Sequence, residues 1–153
     1  MTRRTIARWI ALVSAVGVAG GVLVGTSGAE TPPHRTTVQT KALITTNYEA
    51  FFKGTTPAKT KIKLLEHGSE FTAIIDAQSS SSLAKATTAR VTSVTINSSS
   101  RATVEYSIYL AGKAALANQT GEAVYVQGTW EVGTTSFCAL LSLEGTKTKA
   151  CPA

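Results

Sequence analysis

Few residues of the chain could carry out acid–base chemistry. It contains two histidines, His34 and His67, and a single aspartate, Asp76. A general base needs burial and a hydrogen-bonding partner, and no second acid or base lies at a spacing that would supply one. His34 follows two prolines, His67 precedes a glycine that is expected to end a helix, and Asp76 lies beside a polar stretch. We therefore predict exposed or structural roles for all three, no catalytic residues and no enzymatic activity.

Motifs for metal, nucleotide and nucleophile chemistry are also missing from the sequence. It has no H-E-x-x-H, no glycine-rich phosphate loop and no G-x-S-x-G, and its carboxylates are too scattered for a calcium loop. Three of the 15 basic residues lie in the first eight positions, which leaves 12 basic against 9 acidic residues and a net charge of +3. A charge so small and dispersed does not indicate nucleic-acid binding. We expect no metal, no cofactor and no nucleic-acid partner.

The first 29 residues have the pattern of a targeting segment. Three arginines precede 21 uncharged residues, 9–29, and this order is typical of a secretory signal peptide. Ser27-Gly28-Ala29 supplies the small residues expected before a cleavage site. A bilayer takes about 20 residues to cross, so a retained membrane anchor remains the alternative. We predict residues 1–29 as a signal peptide or membrane anchor, 30–36 as a linker and 37–153 as one α+β domain.

The two cysteines, Cys138 and Cys151, are separated by 12 residues. In an exported chain without a third thiol, a disulfide is the expected outcome. A catalytic or metal-binding pair would need C-x-x-C spacing or nearby histidines, and neither is present. We therefore predict a disulfide that stabilises the fold by about 3 kcal/mol.

The first half of the domain has helical periodicity. Apolar residues from Val38 to Phe52 fall on one helical face, with Thr36 or Thr37 as the cap. A second short helix is predicted with Thr56 as its cap and Pro57 as its first residue. A third helix follows Ser69 and ends near residue 77, and a serine-rich linker occupies 78–82.

The second half has strand periodicity. A first strand is predicted at 93–96, and a second at 102–110, where apolar residues alternate with polar ones throughout. Residues 112–120 are predicted as a loop. Gln127-Gly128 is a two-residue hairpin signal that would pair Tyr125 with Trp130 and direct both aromatic rings inward.

The segment 136–143 fits two interpretations. Phe137, Leu140 and Leu141 lie on one helical face, whereas alternate residues from Phe137 onward would lie on one face of a strand. We prefer a short helix that is capped by Thr135 or Ser136 and ends at Gly145.

Three helices followed by four antiparallel strands resemble the cone-shaped α+β fold of the nuclear transport factor 2 superfamily, in which a curved sheet wraps a helix. Specific runs from about residue 40 to residue 152 resemble the actinobacterial low-molecular-weight secreted antigen family. These runs are Phe51-Phe52-x-Gly54-x-x-Pro57, Lys63–Gly68, Val91–Val94, Thr120–Val124, Gly128–Val132, Ser136–Leu141 and Cys151-Pro152. The resemblance implies an exported protein and supplies no catalytic residues.

The concave side of such a sheet could carry a pocket with apolar walls and a few hydroxyl and indole donors. The candidate ligand-binding residues are Phe52, Ile75, Tyr106, Tyr125 and Trp130. In a domain of this size, the more common outcome is that such side chains fill the core and leave no cavity.

These observations support three functional hypotheses. The first is an exported, non-enzymatic domain that binds a small apolar ligand or a protein of the cell envelope. The second is a membrane-anchored accessory subunit of an envelope complex, with residues 9–29 retained. The third, an enzyme of the wider superfamily, would need His67 or Asp76 inside the cone.

Overall fold

A computed structural model describes residues 35–143 and 145–151 of the protein. The predicted leader at 1–29 and the linker before residue 35 lie outside the described residues, so these boundaries stay predictions. Among the described residues, no helix is both long and apolar enough to span a bilayer.

The domain is α+β, with its helices packed on one antiparallel sheet. The helices are α1 (Thr37–Phe52), α2 (Ala58–Lys63), a 3-10 helix (Gly68–Phe71), α3 (Thr72–Ser79), α4 (Ser82–Lys85) and α5 (Thr134–Leu143). The strands are β1 (Thr87–Ile96), β2 (Arg101–Leu110), β3 (Lys113–Val126) and β4 (Thr129–Val132), in the order β1-β2-β3-β4.

Helix α1 confirms the predicted first helix and its cap. The Thr36 hydroxyl accepts a hydrogen bond from the Gln39 backbone N–H, and the Gln39 side chain accepts one from the Thr36 N–H at 2.9 Å. This reciprocal capping box satisfies donors that the first helical turn leaves unpaired. The inward face of the helix buries four residues, which are Ile44, Tyr48, Phe51 and Phe52.

The next helices differ from the prediction. Pro57 has an extended ψ of 141° and precedes α2 rather than beginning it, and no side chain caps this helix, so the predicted role of Thr56 is wrong. The third helix is divided into the 3-10 helix and α3. The stretch predicted as a serine-rich linker contains the start of α4, because the Ser81 hydroxyl accepts a hydrogen bond from the Ala84 N–H and caps a further turn.

The predicted loop at 112–120 is wrong, because most of it belongs to β3. Lys113 pairs with Leu110 of β2, and Thr120 pairs with Glu105. Ala111 and Gly112 both have positive φ, 48° and 79°, as the central residues of a two-residue hairpin turn require. Pairing with β2 therefore makes a strand of a stretch that is mostly exposed.

Strand β1 begins at Thr87, six residues before its predicted start, whereas β2 agrees with its prediction. The alternating residues Ala102, Val104 and Tyr106 of β2 are each no more than 5% exposed. Pairing shifts between Val91 and Ser93, and again between Tyr106 and Tyr109. Such bulges increase the twist of a sheet. Helix α1 contacts both edge strands, β1 and β4, because the sheet curls around it.

The predicted hairpin between β3 and β4 is confirmed. Tyr125 pairs with Trp130, and Gln127 and Gly128 form the turn with positive φ. The expectation that both rings are inside is wrong. Trp130 is 4% exposed, whereas Tyr125, next to the turn at the end of the hairpin, is 40% exposed.

The C-terminal segment is the predicted helix, α5, and it is tied by the predicted disulfide. Cys138 and Cys151 are bonded with their Cα atoms 5.6 Å apart. The helix begins at Thr134, before the predicted caps. Ser136 does not cap it, because its hydroxyl accepts a hydrogen bond from the Glu122 N–H of β3 at 2.7 Å.

Candidate functional site

A half-open cavity of about 570 Å³ lies where β2 ends and β3 begins. Its walls come from these strand ends, from the C-terminal end of α1 and from parts of α2, α3, α4 and α5. Its volume lies in the range of about 300–1,000 Å³ that is typical of small-molecule pockets. The curled sheet therefore encloses more space than its core side chains fill.

Three phenylalanines, Phe51, Phe52 and Phe137, line the cavity. The Phe51 and Phe137 rings meet edge to face at 5.4 Å between centroids. Phe52 stacks on Tyr106 at 5.3 Å with an angle of 17° between the ring planes. Each of these geometries is favourable for aromatic pairs, so this wall is held in place by the core behind it.

Aliphatic side chains also line the cavity, and an exposed one lies at its rim. Ile108 and Leu110 come from β2, and Leu116 comes from β3. Leu83 of α4 also lines the cavity although it is 63% exposed.

Lys61 is the one charged side chain among the described residues that line the cavity. It lies on α2 and is half-buried. Burial lowers the pKa of its ammonium group below the ordinary lysine value, because a charged group is less stable away from water.

The structure separates the five residues predicted to bind a ligand. Phe52 and Ile75 both line the cavity. Tyr106 lies behind Phe52, while Trp130 and Tyr125 pair in the β3–β4 hairpin and do not line it. Sequence reasoning missed the other lining residues, among them Phe51, Lys61, Leu83, Leu116 and Phe137.

A sequence signal existed for some of the missed residues. Phe51 lies on the same buried face of α1 as Phe52, and Phe137 lies on the predicted apolar face of α5. Leu83 had no such signal, because it follows a run of serines. Lys61 had none either, because it is one of three lysines at alternate positions.

Neither His67 nor Asp76, both considered for acid–base chemistry, lines the cavity. His67 is exposed in a left-handed conformation with φ of 55°, and Asp76 is exposed on α3. His34 precedes the described residues. Over 35–143 and 145–151, no group of three or more His, Cys, Asp or Glu side chains is placed to hold a metal ion.

A cluster of hydroxyl groups is buried under β3. The Tyr48 hydroxyl lies beside Gly121, Ser136 and Tyr106. In the part of the chain that the structure describes, it is buried and makes no hydrogen bond of ordinary geometry. Burial and the neighbouring Tyr106 raise the pKa of Tyr48, and burial also raises the pKa of Tyr106. Both phenols therefore stay protonated near neutral pH.

These features define the class of the protein: a small disulfide-bonded α+β domain whose curled sheet encloses a mostly apolar cavity. Residues 37–148, which are most of the chain, match the family described as low molecular weight antigen MTB12, C-terminal domain. The chain belongs to this family, which confirms the resemblance of its sequence to low-molecular-weight antigens. No curated protein and no solved structure gives a significant match.

Proposed function

We propose that the protein is an exported domain that binds a small apolar ligand in the cavity. The observation that carries this proposal is the cavity itself, about 570 Å³ in volume and lined mainly by aromatic and aliphatic side chains. Pockets of this size and character are the usual sites of small ligands. The role we assign is binding, with no chemical step.

Three observations support export. The sequence begins with the pattern of a signal peptide. Cys138 and Cys151 form a disulfide, which persists mainly in oxidising compartments outside the cytoplasm. The family is described as an antigen, and this description is consistent with a protein at or beyond the cell envelope.

Cavity binding can be tested with two neighbouring alanines of β3. Ala115 lines the cavity and Ala114 does not, and both are exposed. In Ala115→Trp, the indole should occupy part of the cavity, whereas Ala114→Trp adds the same group elsewhere. We expect an environment-sensitive apolar dye to bind the native protein and Ala114→Trp alike, and to bind Ala115→Trp at least about tenfold more weakly. Equal dye binding by all three proteins would contradict the proposal.

Export can be tested by N-terminal sequencing of the protein from its natural host. A chain that is recovered from the culture medium and begins at Glu30 would support it. Recovery of the whole chain from Met1 in the membrane fraction would instead support the anchored accessory subunit.

A further inference from the structure

The three lysines of α2 have different surroundings. Lys59 and Lys63 are exposed, whereas Lys61 is half-buried and lines the cavity. The same short helix therefore directs two ammonium groups to solvent and one to the edge of an apolar space. This arrangement places a positive charge beside phenylalanine and leucine side chains.

Lys61 has no negative partner in the described part of the chain. No carboxylate belongs to the described lining of the cavity. The one ion pair found among the described residues joins Arg101 to Glu122, on β2 and β3. A partly desolvated ammonium group without a counter-charge is unfavourable. An anionic group bound beside Lys61 would offset that cost.

We propose that the cavity binds an amphiphile with a single anionic head group, such as a long-chain carboxylate or a monoalkyl phosphate. The alkyl chain packs against the wall formed by Phe51, Phe52 and Phe137, and the head group pairs with the Lys61 ammonium. The inference rests on the proposed function and adds to it the polarity and charge of the ligand. Leu83, exposed at the rim, contacts the chain as it enters.

The test compares ligands that share one alkyl chain. The protein is purified without detergent from cells that express the full chain, and the displacement of a bound apolar dye is measured with dodecanoate, dodecyl phosphate and dodecanol below their aggregation limits. We expect the native protein to bind the two anions on the order of tenfold more tightly than the alcohol, as is typical when a charge-assisted hydrogen bond is gained. The order of the two anions identifies the preferred head group.

Lys61→Gln and Lys59→Gln form a matched pair on one helix. Lys61→Gln should abolish the preference, so that the two anions bind no more tightly than dodecanol does to the same variant. Lys59→Gln removes the same charge from an exposed position and should retain the preference. Lys61→Arg, which keeps the positive charge, should retain most of the preference for the anions. Thermal unfolding of each variant checks that the fold is intact.

The results separate the inference from the proposed function. If the native protein binds dodecanoate, dodecyl phosphate and dodecanol equally well, the inference is wrong and the apolar cavity remains a binding site. The inference also fails if Lys59→Gln lowers the preference as much as Lys61→Gln does. If none of the three ligands binds and the dye is not bound either, both proposals fail. A dimer in light scattering that excludes the dye would show that a second copy covers the cavity, and it would also overturn both.

Discussion

Two regions of the core contain similar side chains but differ in how closely these side chains are packed. The first, here called the packed region, surrounds the pairs Val104–Gly121 and Ala123–Val132 together with Tyr48. Its apolar members are each no more than 1% exposed. The second, here called the open region, is the cavity wall formed by residues such as Phe52, Ile108 and Leu116.

The difference lies in what covers each region. In the packed region, the backbone around Leu65 pairs with the free edge of β4: the Val132 N–H donates to the Leu64 carbonyl at 2.8 Å, and the Glu66 N–H donates to the Val132 carbonyl at 2.9 Å. The open region is bordered by several short elements, among them α4, a helix of four residues with none buried. A region with such a light cover is the part of a protein that opens most easily. We therefore expect the open region to open more easily than the packed region.

The largest expected effect is the loss of a leucine from the packed region. Leu65 is 2% exposed and Leu83, at the rim of the open region, is 63% exposed. Leu65→Ala should lower the free energy of unfolding by about 4 kcal/mol, because it removes buried atoms and leaves a cavity. Leu83→Ala should change it by less than about 0.5 kcal/mol. Chemical denaturation measures both values, and equal losses would mean that the two regions are equally packed.

The second prediction concerns the disulfide, which closes a loop that forms part of the wall of the open region. Leu140 and Thr146 lie between Cys138 and Cys151 in the chain, and both line the cavity. Replacing both cysteines with serine should cost about 3 kcal/mol, since the closed loop spans 13 positions. It should also weaken dye binding, because one wall of the cavity is no longer tied.

The native protein in a reducing agent is the control for this change, and its stability should fall to that of the double variant. Unchanged stability in both measurements would show that the bond does not constrain the unfolded chain. Loss of stability without loss of dye binding would show that the C-terminal wall is held by packing alone.

The third prediction concerns Gly121 in the packed region. A Cβ at this position would overlap the Tyr48 hydroxyl and lie 2.9 Å from Ser136 Oγ. Gly121→Ala should therefore destabilise the domain by about 2 kcal/mol through overpacking. The neighbouring exposed Thr120 supplies the control, and Thr120→Ala should stay within about 0.5 kcal/mol of the native protein. If Gly121→Ala matches its control, the packed region has room that the structure does not indicate.

Local signals allowed much of the packed region to be predicted. Thr36 before an apolar helical face predicted α1, strict alternation predicted β2, and Gln127-Gly128 predicted the pairing of β3 with β4. These features depend on residues close together in the chain, where caps, periodicity and turn glycines act.

The open region could not be predicted in this way. The first half of β3 is mostly exposed, and its strand conformation comes from backbone pairing with β2. The cavity is the difference between the space that the sheet encloses and the volume of its side chains, which no single segment encodes. Lys61 has the same residue type as Lys59 and Lys63, and only the packing of α2 determines which lysine is turned inward.

The fourth prediction tests whether the packed region contains one imperfect contact. The Tyr48 hydroxyl is buried beside Ser136 and Tyr106 but makes no hydrogen bond of ordinary geometry among the described residues, at an expected cost of about 1 kcal/mol or more. Tyr48→Phe removes the hydroxyl and should raise the free energy of unfolding by about 1 kcal/mol. Tyr125→Phe, at a position 40% exposed, should have little effect. A loss of stability in Tyr48→Phe would mean that Ser136 or Tyr106 hydrogen-bonds this hydroxyl in solution.

The smallest expected effect comes from Glu131 of β4, next to the packed region. Burial and then the nearby Glu66 raise the pKa of its carboxyl, and His67 opposes them. A group whose pKa is raised by folding favours the folded state when protonated, and this contribution is lost as the pH rises through the folded pKa. Glu131→Gln, which is neutral throughout, should therefore unfold at a slightly higher temperature than the native protein at pH 7.

The higher melting temperature of Glu131→Gln should depend on pH if the ionised carboxyl of Glu131 is its source. Below the ordinary carboxyl value of 4.5, both proteins carry a neutral side chain at residue 131, and their melting temperatures should converge. Glu70→Gln, at an exposed position, is the control. Its melting temperature should not approach that of the native protein in this way as the pH falls. A gain in Glu131→Gln that is the same at every pH would assign the effect to packing, and a loss at pH 7 would show that β4 accommodates the charge without cost.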